Sequence, residues 1–230
     1  EVVENRTTDS FIKGIESIGK QQNLKSINAV CSDFWKPFLF GIKNKLPHAK
    51  IIYDRFHLVR IMNRYIEEER RSYQKSLNKI DRLEIKQNIR WLLLKRQHNL
   101  TDKQQITLTE LKELNMPLYT LYLLKESFLT IYDIGVEISE VKRRLKSWIN
   151  DLGLTTFTKL KRFGKTLSKR FKWIVNWHRH RISNGKAEAI NNKIQLLKRE
   201  AFGYRDFPYL RLKILQKCGN LMENYPLKFI

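Results

Sequence analysis

Apolar positions along the chain follow two different periods. Phe11, Ile12, Ile15 and Ile18 recur at helical spacing behind Thr7, Thr8 and Asp9, whose side chains suit a helix start, and they predict a helix over 9–21. Ile27 to Cys31 is instead a short run of strand formers that ends at Ser32 and Asp33. Beyond it the helical period returns in Trp35, Phe38, Leu39, Ile42 and Leu46. Pro37 is tolerated only in a first turn, which puts the start of that helix close to Asp33, and Pro47 closes it. Ile51-Ile52-Tyr53 repeats the unit, ending at Asp54 and leading into a helix through Leu58, Ile61, Met62, Tyr65 and Ile66. Two strands, each followed by a helix, imply parallel neighbours in one sheet and an α/β fold.

From about 65 to 178 every clear signal is helical, including Leu83, Gln87, Ile89 and Leu93, then Leu118, Leu121, Tyr122, Leu124 and Phe128. This block reads as an α-helical insertion, with Gly153, Gly164 and the stretch Thr155 to Thr158 breaking helices near its end. A helix begins at Asn184-Gly185 and carries an apolar face of Ala187, Ile190, Ile194 and Leu197; another lies near Leu210 to Leu215. The expected organisation is a core over 1–64, the insertion over 65–178, and closing core helices over 179–230.

Composition narrows the function. The chain has 230 residues, of which 42% are hydrophobic and 11% aromatic, too many for a disordered basic tail. Its 45 Lys+Arg against 23 Asp+Glu leave a net charge of +22, which on a folded chain calls for a polyanionic partner, nucleic acid first. The longest apolar runs, such as Trp91 to Leu94, fall far short of the roughly 20 residues that cross a bilayer, and the start does not resemble a signal peptide. The expectation is no membrane partner and a cytoplasmic, nucleoid-associated protein. Cys31 and Cys218 form neither a disulfide framework nor a zinc spacing and read as buried thiols. The chain opens at Glu1 rather than Met, so it is processed or a piece of a longer reading frame.

Candidate chemistry sits at the strand ends. Asp33 and Asp54 each follow a strand, where open α/β sheets place reacting groups, although each also suits an ordinary helix cap. His57 shares a helical face with Asp54, so the pair is either a carboxylate orienting an imidazole for proton transfer or metal binding, or a structural hydrogen bond. Glu188 lies in the first turn of its helix, away from the apolar face, where it complements the helix dipole if it does nothing else. Asn184 precedes that helix, and Asn191 and Asn192 are poor helix-interior choices that suit ordering water or touching phosphate, or are merely solvated. The basic stretch holds Lys142, Arg143, Arg144, Lys161, Arg162, Lys169, Arg170, Lys193, Lys198 and Arg199, interleaved with Trp148, Phe163, Phe171, Trp173, Trp177 and Tyr204. Some of these rings must be core, and one or two exposed ones would stack on splayed bases.

Four ordered motifs carry a resemblance: Cys31-Ser32-Asp33-Phe34-Trp35-Lys36-Pro37, Leu46-Pro47-His48-Ala49, Tyr53-Asp54-Arg55-Phe56-His57, and Ser183 through Asn192. With Leu197 through Phe207, they resemble the catalytic domain of bacterial insertion-sequence transposases of the ISL3 family over nearly the whole chain. The resemblance implies a ribonuclease-H-like fold in which three acids hold two Mg²⁺ or Mn²⁺ ions that cut and join DNA at transposon ends and target. It assigns Asp33 as the second acid and metal ligand, Glu188 as the third, and Asp54 with His57 as supporting, with Asp54 as second acid left open. Arg55 joins the DNA-facing cations, and a homo-oligomer is expected of the intact protein. In this fold the first acid stands on a strand of a meander preceding the 9–21 helix. Only Glu1 to Asn5 precede that helix here; Val2-Val3 then read as the end of a third strand, and Asp9 as a helix cap rather than that acid. The chain alone is therefore expected to be inactive or nearly so. The alternatives are a non-catalytic DNA-binding remnant and, more remotely, a basic RNA-binding accessory protein.

Overall fold

The computed structural model describes residues 2–3, 5, 7–33, 36–78, 89–132 and 137–219, so Phe34, Trp35, Leu83 and Gln87 lie outside the described residues. Two parallel strands, β1 (Ala29–Ser32) and β2 (Lys50–Tyr53), pair in one sheet, with the Lys50 N–H donating to the Asn28 carbonyl at 2.9 Å. Between them runs α2 (Lys36–Lys45), with Pro37 in its first turn, and before them α1 (Thr8–Gly19). Everything else of regular structure among the described residues is helical. The chain divides into two compact units, Glu1–Ile51 with Ile182–Ile230, and Ile52–Arg181.

In the first unit Thr7, rather than Asp9, caps α1, its hydroxyl accepting from the Ser10 N–H at 3.1 Å; Asp9 stands in the first turn. Helices α1 and α2 pack on each other where Gly41 of α2 lies under the Phe11 ring, a contact too close to admit a Cβ. Phe11 also meets Phe38, with ring centroids 4.7 Å apart. Val2 and Val3 are not a strand. Val3 lies instead over Gly14 of α1, its Cγ1 3.3 Å from where a Cβ would stand. The unit closes with α10 (Gly185–Glu200) and α11 (Phe207–Cys218). No residue of α10 is buried, so the face of Ala187, Ile190, Ile194 and Leu197 is at best half covered. Cys31 and Cys218 are in no disulfide and are half-buried rather than buried.

The second unit is a helical assembly. It begins with α3 (Arg55–Ser76), which Asp54 caps, and continues through α4 (Ile89–Leu94), α5 (Asp102–Leu114), α6 (Met116–Thr130), α7 (Ile138–Leu154), α8 (Thr158–Lys169) and α9 (Phe171–His180). Leu58, Met62 and Ile66 of α3 are fully buried, and Phe128, Trp148 and Phe163 form an aromatic core with neighbouring centroids 4.8 and 5.7 Å apart. Thr155 to Phe157 separate α7 from α8, but neither glycine breaks a helix. Gly153 is the penultimate residue of α7, and Gly164 sits inside α8, where the bare backbone admits Leu152 to within 3.0 Å of a would-be Cβ. Close helix approach, rather than chain flexibility, explains that glycine. Fully buried Lys125 donates to the Lys95 carbonyl and pairs with Glu126 at 2.8 Å, while desolvation lowers its pKa. Among the described residues, no helix is long and apolar enough to cross a membrane.

Candidate active site and nucleic-acid interface

Each strand delivers an aspartate to its carboxyl end. Asp33 follows β1 and is half-buried beside Ser32, whose hydroxyl donates to the Asp33 carbonyl at 3.1 Å. Glu188 stands in the first turn of α10, half-buried, its N–H bonded to the Asn184 carbonyl at 2.9 Å. Asp33 and Glu188 belong to the same compact unit, and a hydrogen bond ties together the segments that carry them. The Cys31 thiol donates to the Ile182 carbonyl at 3.6 Å, so the end of β1 is fastened to the approach to α10. Asn191 and Asn192 are exposed one turn beyond Glu188.

Asp54 and His57 meet in the second unit. Asp54 Oδ1 accepts the Phe56 N–H at 3.1 Å and Oδ2 lies 3.1 Å from His57 Nδ1, with both side chains largely buried. The carboxylate thereby caps α3 and fixes the imidazole ring at once.

Arg55 faces inward in part. Its guanidinium lies 6.0 Å from the centroid of Tyr132 and 5.8 Å from that of Trp177, and its Nε is buried without a hydrogen-bond partner among the described residues. His178 stacks on Tyr132 at 5.2 Å, with neither ring nitrogen bonded among the described residues. Burial, reinforced by Arg181 and Arg55, pulls its pKa down to about 4. Burial also raises the pKa of Tyr132. Sequence reasoning did not single out His178, although its position four residues after buried Ile174 is the helical signal of a core residue.

The basic residues differ in exposure and in pairing. Lys142, Arg162, Lys169, Lys193, Lys198 and Arg199 are exposed. Arg143 and Arg144 both bond to Glu140, at 2.6 and 2.7 Å, and the paired guanidiniums hold that carboxyl down to about 2. Arg170 lies 5.5 Å over the ring of Tyr53, and Lys161 is half-buried. Of the interleaved aromatics, Trp148 and Phe163 are core and the remainder half-buried. The fully exposed ring is Phe202, which the pattern of basic and aromatic positions did not mark out.

Carboxylates of this kind suit a hard divalent cation, which takes oxygen ligands. Among the described residues, however, no group of three or more His, Cys, Asp or Glu side chains is gathered to hold a metal ion. A family model described as "Transposase", of the ISL3 DDE type, matches residues 1–214. The chain belongs to the ISL3 transposase family. It is similar to the transposase for insertion sequence element IS1001 of Bordetella parapertussis, 31% identical over 190 residues that make up 82% of this chain and 47% of that protein. The transposase for insertion sequence element IS1557 of Mycobacterium tuberculosis is 32% identical over 118 residues, 50% of this chain and 26% of that protein. The chain thus spans about half the length, or less, of these curated relatives. No solved structure matches it.

Proposed function

We propose that this chain supplies the second and third acids, Asp33 and Glu188, of a transposase core that cuts and joins DNA at the ends of an insertion sequence. The observation that carries this reading is the Cys31–Ile182 hydrogen bond, which fastens the strand end bearing Asp33 to the segment entering the helix of Glu188. In this reading the core over 1–64 and 179–230 has a ribonuclease-H-like fold interrupted by the helical insertion over 65–178. Asp33 and Glu188 would hold Mg²⁺ or Mn²⁺ together with the first acid of the set, supplied by the intact transposase. The chemistry that a bound pair of such cations supplies is activation of a water or 3′ hydroxyl and stabilisation of the leaving oxygen. Asp54 and His57 hold the start of α3 in place beside β2, and the exposed cations, with Asn191 and Asn192, line the DNA. Both transposon ends and target are duplex DNA, and engaging two ends calls for a homo-oligomer of the intact protein. Strand transfer in this reading needs all three acids of the set.

Calorimetric titration of Mn²⁺ into the chain tests the assignment. Asp33→Asn and Glu188→Gln are each expected to weaken binding at least several-fold, with Asp54→Asn doing less. Binding indifferent to both of the first two, or lost only with Asp54→Asn, would overturn it. The exposed cations also favour a second reading, a non-catalytic DNA-binding protein, which predicts salt-sensitive DNA binding that ignores Asp33 and Glu188 altogether.

A further inference from the structure

The turn between α10 and α11 carries a feature that neither acid chemistry nor core packing uses. Phe202 is fully exposed, the most exposed of the large apolar side chains among the described residues. It also holds a left-handed backbone, with φ of 51°, followed by Gly203 at 105°. Left-handed geometry disfavours any residue with a Cβ and is ordinarily given to glycine or asparagine. An aromatic residue held there, with its ring in water, is doubly unfavourable for the isolated chain and calls for a partner that receives the ring.

The turn is clamped on both sides. The Phe202 and Gly203 N–H groups donate back to the carbonyls of Arg199 and Lys198, at 3.0 and 2.8 Å, closing α10. On the other side the Asp206 carboxylate accepts the Tyr209 N–H at 3.2 Å and caps α11. The ring therefore stands on a preorganised support and loses little freedom on binding. Its surroundings select the partner. Lys198, Arg199 and Arg205 flank it within the same turn, all exposed, while Glu200 and Asp206 offer less opposing charge. Lys213 lies 5.6 Å from the exposed ring of Tyr209, itself 6.0 Å from Tyr204. Protein-docking patches are depleted in lysine at their centres and gather several apolar side chains. A fully exposed ring with cations on both sides in its own turn is instead the arrangement that enters a base step while the flanking charges hold phosphates.

We propose that Phe202 is a wedge that inserts at a base step of duplex DNA and unstacks it, with Lys198, Arg199 and Arg205 gripping the adjoining backbone. The proposal rests on the reading of DNA as the partner. The test titrates the full chain into duplexes carrying 2-aminopurine at TA steps, which unstack most readily, and follows anisotropy for affinity and 2-aminopurine fluorescence for unstacking. The unmodified chain is expected to raise the fluorescence. Phe202→Ala is expected to abolish the rise and weaken binding about tenfold, within the range for one base–aromatic contact. Phe202→Leu, still an apolar wedge, should retain most of both. Equal affinity and an equal rise with Phe202→Ala would overturn the wedge while leaving DNA binding intact. So would a change of oligomeric state on Phe202→Ala with DNA binding unchanged, since the ring would then be a contact between copies. No duplex binding by the unmodified chain would instead overturn the DNA reading itself, and the wedge with it.

Discussion

His178 is buried against Tyr132 and Trp177 with Arg55 and Arg181 as the charged groups acting on it, and the cationic imidazolium is unwelcome there for two reasons. Burial strips its hydration, and both arginines repel it. The native pKa of about 4 lies below the ordinary value of 6.5, so the unfolded chain takes up a proton first as pH falls. Stability is therefore unaffected by this group above pH 6.5 and is lost progressively between 6.5 and 4. At 1.36 kcal/mol per unit the full loss is about 3 kcal/mol. Four of the five tryptophans, Trp91, Trp148, Trp173 and Trp177, lie in the second unit, so tryptophan fluorescence during urea unfolding reports on it. The expected outcome is a steeper fall in stability from pH 7 to pH 4.5 for the unmodified chain than for His178→Phe, which keeps the stacked ring and removes the titration. Parallel pH profiles for the two would show that His178 is not buried as a neutral group.

Among the elements, α8 shows how one helix is started by another. Its N-cap position, Phe157, has no side chain able to accept a hydrogen bond. The role passes to Glu69, buried near the end of α3, whose Oε1 accepts the N–H groups of both Lys159 and Leu160, the latter at 3.1 Å. Lys159 Nζ returns a bond to the Glu68 carbonyl at 3.2 Å. A carboxylate here satisfies otherwise orphaned donors and opposes the positive end of the helix dipole. Glu69→Ala is expected to destabilise the second unit by about 2 kcal/mol, and Glu69→Gln, which keeps an acceptor, by about 1 kcal/mol. Equal losses for the two, read from the same urea transitions, would mean that α8 does not depend on this acceptor. None of this was visible along the chain. Leu58, Met62 and Ile66 announce the buried face of α3 by their spacing, but Glu69 continues that face inside a run of acids and bases that reads as solvated, and its partners lie some 90 residues away. The strand-to-helix corners were legible because their signals are local: Asp54 caps α3 from the adjoining position, as its place before an amphipathic run predicts. Gly164 was misread for the opposite reason, since what a glycine does inside a helix is decided by the neighbour it admits, here Leu152. The amphipathic pattern of α10 was legible as a pattern, whereas whether anything covers the face is a property of the surroundings.

For the whole molecule, the excess of +22 charges is unevenly available, and this decides how it would meet DNA. Cations that share a carboxylate are partly neutralised already, as Arg143 and Arg144 are by the single charge of Glu140. Lys142, Arg162 and Lys169 are exposed, and each phosphate that one of them neutralises releases cations condensed on the DNA. Each phosphate contact contributes a slope of roughly 0.9 to the fall of log affinity with log salt. Replacing Lys142, Arg162 and Lys169 together with glutamine is accordingly expected to flatten that slope by about 2.7, roughly three contacts, whereas Arg143→Gln with Arg144→Gln should flatten it by less than about 1. The measurement is duplex affinity by anisotropy at several salt concentrations, with the unmodified chain as reference. Equal flattening by both sets would make net charge, and not pairing with Glu140, the determinant. An unchanged slope for the triple variant would move the DNA track away from α7 and α8 towards Lys193, Lys198 and Arg199 on α10, the helix that also carries Glu188.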